Sequence, residues 1–396
     1  MKVFMISYGA GHSNVIAPVY KKLVQKKENE VTYLALTLAP VHLQGQNVQY
    51  TVLSEIAKTL PYYDNIYALG RKYGIDFHNE ASGIAIEDTI AYYGIGMYDL
   101  INQHGEKKAE YLFEKLGRKA FLPVETMLCI LKKIHPDVCV VTTAPRMEEA
   151  TGIASEKLGI PVVLINNLPD ISPIKYKCSV CVMNDWAKKY AVDVAKVPSE
   201  NVYVTGQPAI EESLKVDIRD LERVKRKIGL DKFSKLVTFF AQTGTDQSLE
   251  VNTFFGIAEK MKDVLFILKL HPNQEIDSYP DPFQNNVYIT RDDNKALYYL
   301  SDLAITENST TGMEAVLAGT PLIVVNFNHV KYAPDYVAMG IAVMCDNEKN
   351  LEEKIRLLLN HESDEYGKAL ESNRSFQNRE NAAENISKVI KGLSKF

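Results

Sequence analysis

The segment Ala304-Ile-Thr-Glu307-Asn308-Ser309-Thr310-Thr311-Gly312-Met-Glu314-Ala sets a cluster of small polar residues between an apolar run and a helical spacing. Ser309, Thr310 and Thr311 bring hydroxyls to a helix start, whose unpaired N–H groups carry partial positive charge. Hydroxyls and N–H groups so placed suit a phosphate. Glu314 falls about one turn into that helix, where a carboxylate accepts hydrogen bonds from a ribose diol. The plainer use of Ser309 or Thr310 is to cap the helix. The neighbouring turns favour the phosphate.

Two further turns have the same form. In Phe266-Ile-Leu-Lys269-Leu-His271-Pro272-Asn273 a histidine sits where a strand leaves its sheet, and Pro272 forces the chain to turn. An imidazole there can donate to a phosphate oxygen and help a nucleotide depart. In Phe239-Phe-Ala-Gln242-Thr243-Gly244-Thr245-Asp246-Gln247-Ser248, backbone N–H groups and threonine hydroxyls suit a diphosphate. Near the start, Ser7-Tyr-Gly9-Ala-Gly11-His12-Ser13 puts a histidine in a glycine-rich turn that opens a helix. His12 suits the removal of a proton from a hydroxyl, or plain capping. Asp88, beside Glu87, is a lesser base, since paired acids usually mark a solvated face. His135-Pro136 precedes its strand and reads as structural. His42, His78, His104, His329 and His361 show no partner.

These turns need strands and helices to hold them. Apolar, β-branched runs are expected as strands at Val3–Ser7, Val31–Leu36, Val138–Thr142, Val162–Ile165, Cys178–Met183 and Asn201–Thr205. A second series follows at Leu236–Ala241, Leu265–Lys269, Val287–Ile289, Leu303–Thr306 and Leu322–Val325. Helical patterns lie between most of them, and Tyr50–Leu131 is mainly helical. Alternation of this kind implies βαβ units and parallel sheets. The fold expected is α/β, with two doubly wound Rossmann-like domains facing across a cleft. Residues 1–210 would form the N-terminal domain, 211–375 the C-terminal domain, and 376–396 a helix returning to the first. Ligands of open α/β sheets bind at the carboxyl ends of the strands, where the candidate turns fall.

The chain of 396 residues suits two domains, and its hydrophobic content of 46% can fill two cores. A formal net charge of −5 argues against nucleic acid as a main partner. Five cysteines, an odd number, fit a reducing compartment, and Cys178 and Cys181 read as packing residues rather than a zinc site. Met1 leads straight into a strand-like run rather than a signal peptide. No stretch reaches the roughly 20 apolar residues of a membrane span. A cytoplasmic protein is expected, with peripheral contact on the inner face of a membrane and a homodimer both compatible.

Over nearly its whole length the chain resembles enzymes of the GT-B type, including hydrolysing and non-hydrolysing UDP-N-acetylglucosamine 2-epimerases. His135–Val141 followed by Glu149–Val163 resembles their first-domain strand, helix and strand. Pro198–Pro208 resembles their interdomain segment, and Leu270–Asn273 with Thr306–Ala315 resembles their nucleotide-binding turns. Glu314 stands at the ribose-binding glutamate of that pattern. The chain departs from it at Gln242–Thr245, Ala144-Pro145-Arg146 and Asn166-Asn167-Leu168, where the epimerases carry a His-Arg-Arg-Glu-type element, an acid and a Glu-containing turn. A His-Pro turn followed by a Ser/Thr cluster is also similar to bacterial sialyltransferases and wall-polymer glycerophosphotransferases, which use CMP- or CDP-linked donors. The turn ending in His12 resembles the first loop of the lipid-linked peptidoglycan transferase.

The resemblance implies a nucleotide-sugar-dependent glycosyltransferase of glycan or surface polysaccharide biosynthesis, inverting in outcome. Its catalytic residues would be His12, Asp88 and His271. Its donor, CMP-, CDP- or UDP-linked, would be held by Gly11, Gln242, Thr243, Gly244, Thr245, His271, Pro272, Glu307, Asn308, Ser309, Thr310, Thr311, Gly312 and Glu314. The acceptor would be a glycan, a lipid-linked sugar or a protein. Neither cofactor nor metal is expected, because no Asp-x-Asp element follows a strand; Asp292-Asp293 reads as a surface turn. The alternatives are a UDP-N-acetylglucosamine 2-epimerase or hydrolase, and a non-catalytic nucleotide-sugar-binding protein.

Overall fold

The structure is a computed structural model that describes residues 1–9, 11–276, 279, 284–291, 294–331 and 335–393. Ala10 of the first glycine-rich turn and the Asp292-Asp293 pair lie outside the described residues.

The first unit comprises Met1–Glu211 and Arg379–Phe396. Its strands are β1 (Lys2–Ser7), β2 (Glu30–Ala35), β3 (Thr51–Val52), β4 (Val138–Val141), β5 (Val162–Ile165), β6 (Ser179–Val182) and β7 (Val202–Val204). They pair in parallel in the order β3-β2-β1-β4-β5-β6-β7. Every residue of β4, β5 and β6 is buried, as strands covered by helices on both faces must be. Cys181 packs in this core as a small apolar residue, and Cys139 is buried as well.

The second unit comprises Glu212–Asn378. Its strands are β8 (Lys235–Phe240), β9 (Val264–Lys269), β10 (Val287–Thr290), β11 (Leu303–Thr306), β12 (Leu322–Val325) and β13 (Val343–Cys345). They too are parallel, in the order β10-β9-β8-β11-β12-β13. In each sheet the order reverses beside its first strand, β1 or β8, the mark of a doubly wound fold.

The strands read from sequence stand within a residue or so of their expected ends. The two that were not read, β3 and β13, are edge strands of two and three residues. Elements that short carry no periodicity to detect.

Between β3 and β4 the chain is helical, and two of these helices meet at their backbones. A Cβ on Gly70 would stand 2.0 Å from the Ile90 carbonyl oxygen, and one on Gly94 2.0 Å from that of Ile66. Only glycine allows the helices Tyr63–Gly74 and Ile86–His104 to approach so closely. Tyr62 stacks on Tyr98 with ring centroids 4.3 Å apart, and Tyr92 and Tyr93 are buried. Tyr67 and Phe77 of the same helical region are exposed.

The last helix, Ala382–Leu393, packs on the first unit through Ile386 and Ile390, which join the cluster of Val15 and Val19. The Glu211 carboxylate accepts the N–H groups of Asn381 and Ala382 at 3.2 and 2.8 Å, holding that helix start in place. The preceding helices Leu351–Leu359 and Asp364–Ser375 belong to the second unit.

Candidate functional site

In the second unit β9, β8 and β11 are neighbours, so their carboxyl-end turns lie side by side. Gln242, two residues past β8, joins all three. Its Nε2 donates to Glu307 Oε2 at 3.0 Å, and its Oε1 accepts the Asn308 N–H at 3.0 Å. Its carbonyl accepts Gln274 Nε2 at 3.1 Å, and its N–H donates to Gln247 Oε1 at 2.9 Å. Thr245 Oγ1 adds a bond to Glu307 Oε2 at 2.7 Å. Gly244 turns the chain at φ +91°.

This places Gln242, Thr245, Glu307 and Asn308 together, with a changed role for three of them. The side chains of Gln242, Thr245 and Glu307, expected to contact a ligand, bond one another and frame the rim. Glu307 is almost wholly buried, and burial, then the nearby Glu250 and Asp246, push its carboxyl up from the usual range. Thr243 and Thr310 are exposed.

His271 is held at two points. Its N–H donates to Gln274 Oε1 at 2.8 Å, and its Nδ1 accepts the Asn273 N–H at 3.2 Å. A neutral ring that accepts at Nδ1 carries its proton on Nε2, so His271 is set as a donor. Pro272 is exposed at the turn. Ser309 caps the helix Thr310–Leu317, accepting from the Thr311 N–H at 3.4 Å and the Thr311 hydroxyl at 2.8 Å. The capping expected as the plain use of Ser309 is therefore present. A Cβ on Gly312 would lie 2.7 Å from Thr306 Cγ2, so this glycine seats the helix against β11. Glu314, half-buried, accepts the Tyr298 hydroxyl at 2.5 Å, which orients its carboxylate.

In the first unit His12 stands in the first turn of the helix Gly11–Val24, just past β1. It lines a hollow of 580 Å³ together with Thr142, Thr143, Asn167, Asp170 and Tyr176. These residues follow β4 and β5, so this hollow is also at the carboxyl rim of its sheet. His12 Nδ1 is 2.6 Å from Thr142 Oγ1, whose proton goes to Glu148 Oε2 at 2.6 Å. No hydrogen bond reaches His12 Nε2 among the described residues. Burial, then the Arg146 guanidinium, hold the imidazole below its ordinary pKa. Beside Gly11 there is open space, with nothing within 4 Å of a Cβ built there.

Two residues of this site were not anticipated. Glu148 is fully buried, and burial pushes its carboxyl up to about 7 against the pull of Thr142 and Tyr8 hydrogen bonds and of Arg146. In sequence it looks like one of two acids at a helix start, where negative charge is ordinary. Arg146 adopts φ +69°, costly for a residue with a Cβ. Its guanidinium lies over the Tyr8 ring, 5.0 Å from the centroid, and its Nε has no partner among the described residues.

Asp88 differs from the expectation of a catalytic base. It is buried, its Oδ1 accepts the Ser54 N–H at 2.8 Å, and it does not line the hollow. A carboxylate in that position steadies the start of the helix Leu53–Ala57. His135 ends the helix Val124–Ile134 in the left-handed region at φ +50°. Among the described residues no group of three or more His, Cys, Asp and Glu side chains is arranged to hold a metal ion. No helix among them is long and apolar enough to cross a membrane.

No protein-family model and no curated protein matches the chain. Solved structures do. A UDP-GlcNAc 2-epimerase from Neisseria meningitidis, bound to UDP-GlcNAc, matches at TM-score 0.60 with 16% identity, covering 99% of this chain and 99% of its own. The S. aureus MnaA–UDP co-structure matches at 0.59 with 16% identity, covering 98% and 96%. CalG4, the calicheamicin glycosyltransferase, matches at 0.59 with 11% identity, covering 100% and 97%. At such identities the likeness is one of fold: the chain has the two-domain α/β architecture of GT-B enzymes, shared by epimerases and glycosyltransferases.

Proposed function

We propose that the chain is a nucleotide-sugar-dependent glycosyltransferase, inverting and independent of metal, acting in glycan or surface polysaccharide assembly. The observation that carries this reading is His12: one ring nitrogen is anchored through Thr142, and the other has no hydrogen bond among the described residues, at the edge of a 580 Å³ hollow. An anchored imidazole with a free lone pair is a general base for an acceptor hydroxyl. The hydroxyl oxygen attacks the anomeric carbon, and the bond from that carbon to the donor phosphate breaks with its electron pair on the phosphate. Within the second unit, His271 Nε2–H and the start of the helix Thr310–Leu317 suit the phosphate of a nucleotide, and Glu314 suits its ribose.

The epimerase reading draws on the likeness in fold to a UDP-GlcNAc 2-epimerase bound to UDP-GlcNAc. Elimination and re-addition at a sugar carbon need acids and bases. The resemblance to the epimerase family implies acids at the turns where this chain carries Ala144-Pro145-Arg146 and Asn166-Asn167, and their absence favours transfer.

Incubation with CMP-, CDP- and UDP-linked sugars separates the readings. Nucleotide release only in the presence of an acceptor supports transfer. Release with water alone supports a hydrolase, formation of the 2-epimer supports an isomerase, and binding without turnover supports a binding protein. Thermal shift across UMP, UDP, CMP, CDP and GDP identifies the base, because a ligand of the folded state raises stability by mass action.

A further inference from the structure

Glu148 has no exposed surface, and both of its oxygens are engaged. Oε1 accepts the Tyr8 N–H at 3.0 Å, while Oε2 accepts the Thr142 N–H and the Thr142 hydroxyl, each at 2.6 Å. The same hydroxyl lies 2.6 Å from His12 Nδ1. A hydroxyl has one proton to give. With Glu148 ionised, Thr142 donates to Glu148 and accepts from His12, which puts the ring proton on Nδ1 and the lone pair on Nε2. With Glu148 protonated the two bonds reverse, and the ring proton belongs on Nε2.

We propose that Thr142 is a proton bridge that passes the proton gained by His12 on to Glu148, so the ring changes tautomer instead of becoming an imidazolium. The proposal rests on the reading of His12 as the base. The acceptor O–H proton moves to Nε2, the Nδ1 proton to Thr142 Oγ1, and the Thr142 proton to Glu148 Oε2. No charge is left on the ring, and Glu148 ends neutral. After the product leaves, the reverse sequence returns the proton to water entering the hollow. Glu148 acts through Thr142 and His12 and is a positioning residue.

The surroundings favour this route over an imidazolium. Burial and Arg146 disfavour a second positive charge on His12, while burial brings the Glu148 carboxyl up to about 7. The groups facing Glu148 are Arg146, Tyr8 at the end of β1, Tyr33 on β2 and Tyr176 in the segment between β5 and β6. Burial raises all three phenols well above their ordinary value, so they stay neutral and do not compete for the proton.

The test is long-range proton–nitrogen correlation NMR on the full chain with labelled histidine, between about pH 5 and pH 9, with His12→Ala assigning the signal. The ring should hold its proton on Nδ1 at the alkaline end and switch to Nε2 near pH 7, without an imidazolium signal at the switch. Thr142→Val should abolish the switch, and Thr142→Ser should restore it. Turnover in mixtures of light and heavy water should fall along a curve for the native chain and along a straight line for Thr142→Val. An imidazolium forming near pH 7, or a switch that survives in Thr142→Val, would overturn the bridge. Full turnover in His12→Ala would instead overturn the base assignment, leaving the tautomer result to be judged separately.

Discussion

The Gln242 carboxamide reaches across from the end of β8 to the Glu307 carboxylate at the end of β11, with Nε2 and Oε2 3.0 Å apart. Its oxygen accepts the next N–H, that of Asn308, at 3.0 Å. One side chain therefore sets the spacing of the turns on which the proposed phosphate grip stands.

Replacing Gln242 with alanine leaves the Asn308 N–H and the Glu307 carboxylate short of partners where water has little access. The expected loss is about 1–3 kcal/mol, measured by urea denaturation. Nucleotide affinity, measured by calorimetry, should fall with it. A variant that keeps both stability and affinity would show that the turns do not depend on this bridge.

Glu148 makes stability depend on pH. Its folded-state pKa, about 7, lies above the ordinary 4.5, so the folded chain holds the proton more tightly than the unfolded chain. The contribution is complete below about 4.5 and is lost as the pH rises through 7, on the order of 3 kcal/mol. His12, with a lowered pKa, acts in the opposite sense, and its contribution is lost as the pH falls. Glu148→Gln removes only the first term. Denaturation at about pH 5 and pH 8 should show the native chain losing stability relative to this variant as pH rises. A constant difference would contradict the raised pKa.

The two His-Pro turns separate chemistry from architecture. His271 is oriented through both its backbone and Nδ1, so His271→Ala should reduce turnover by about 100-fold. His135 terminates a helix in a left-handed conformation ahead of β4. Asparagine tolerates that conformation, and His135→Asn should leave turnover unchanged. Equal losses in steady-state assays would remove His271 from the mechanism.

Glycines make a third comparison. Gly94→Ala forces a methyl group against the Ile66 carbonyl oxygen and should lower stability by about 3 kcal/mol or more. Gly11→Ala meets nothing within 4 Å and stands in the helix Gly11–Val24, so its melting temperature should hold. Reduced turnover in a stable Gly11→Ala would show that a ligand occupies the open space beside His12. A melting temperature unchanged in Gly94→Ala would refute the close crossing of the two helices.

The buried strands were legible because a strand covered on both faces must be apolar throughout, as Val138–Val141 and Leu322–Val325 are. The turns after β1, β8, β9 and β11 were legible because small polar residues, Gly and Pro interrupt those runs. Side-chain partners were a different matter. Asp88 and Glu148 each stand beside a second acid at the start of a helix, and composition treats them alike. Asp88 closes a helix start at Ser54, whereas Glu148 lies behind His12.

By itself the chain determined its alternation of strand and helix, its two doubly wound sheets and the rim on which polar turns would stand. These follow from local periodicity and from the need to bury apolar faces. Only the tertiary structure decided that Gln242 braces Glu307 and that Thr142 joins His12 to Glu148. Each of those contacts depends on strands distant in sequence becoming neighbours, β8 beside β11 and β1 beside β4, and on which carboxylate is withdrawn from water.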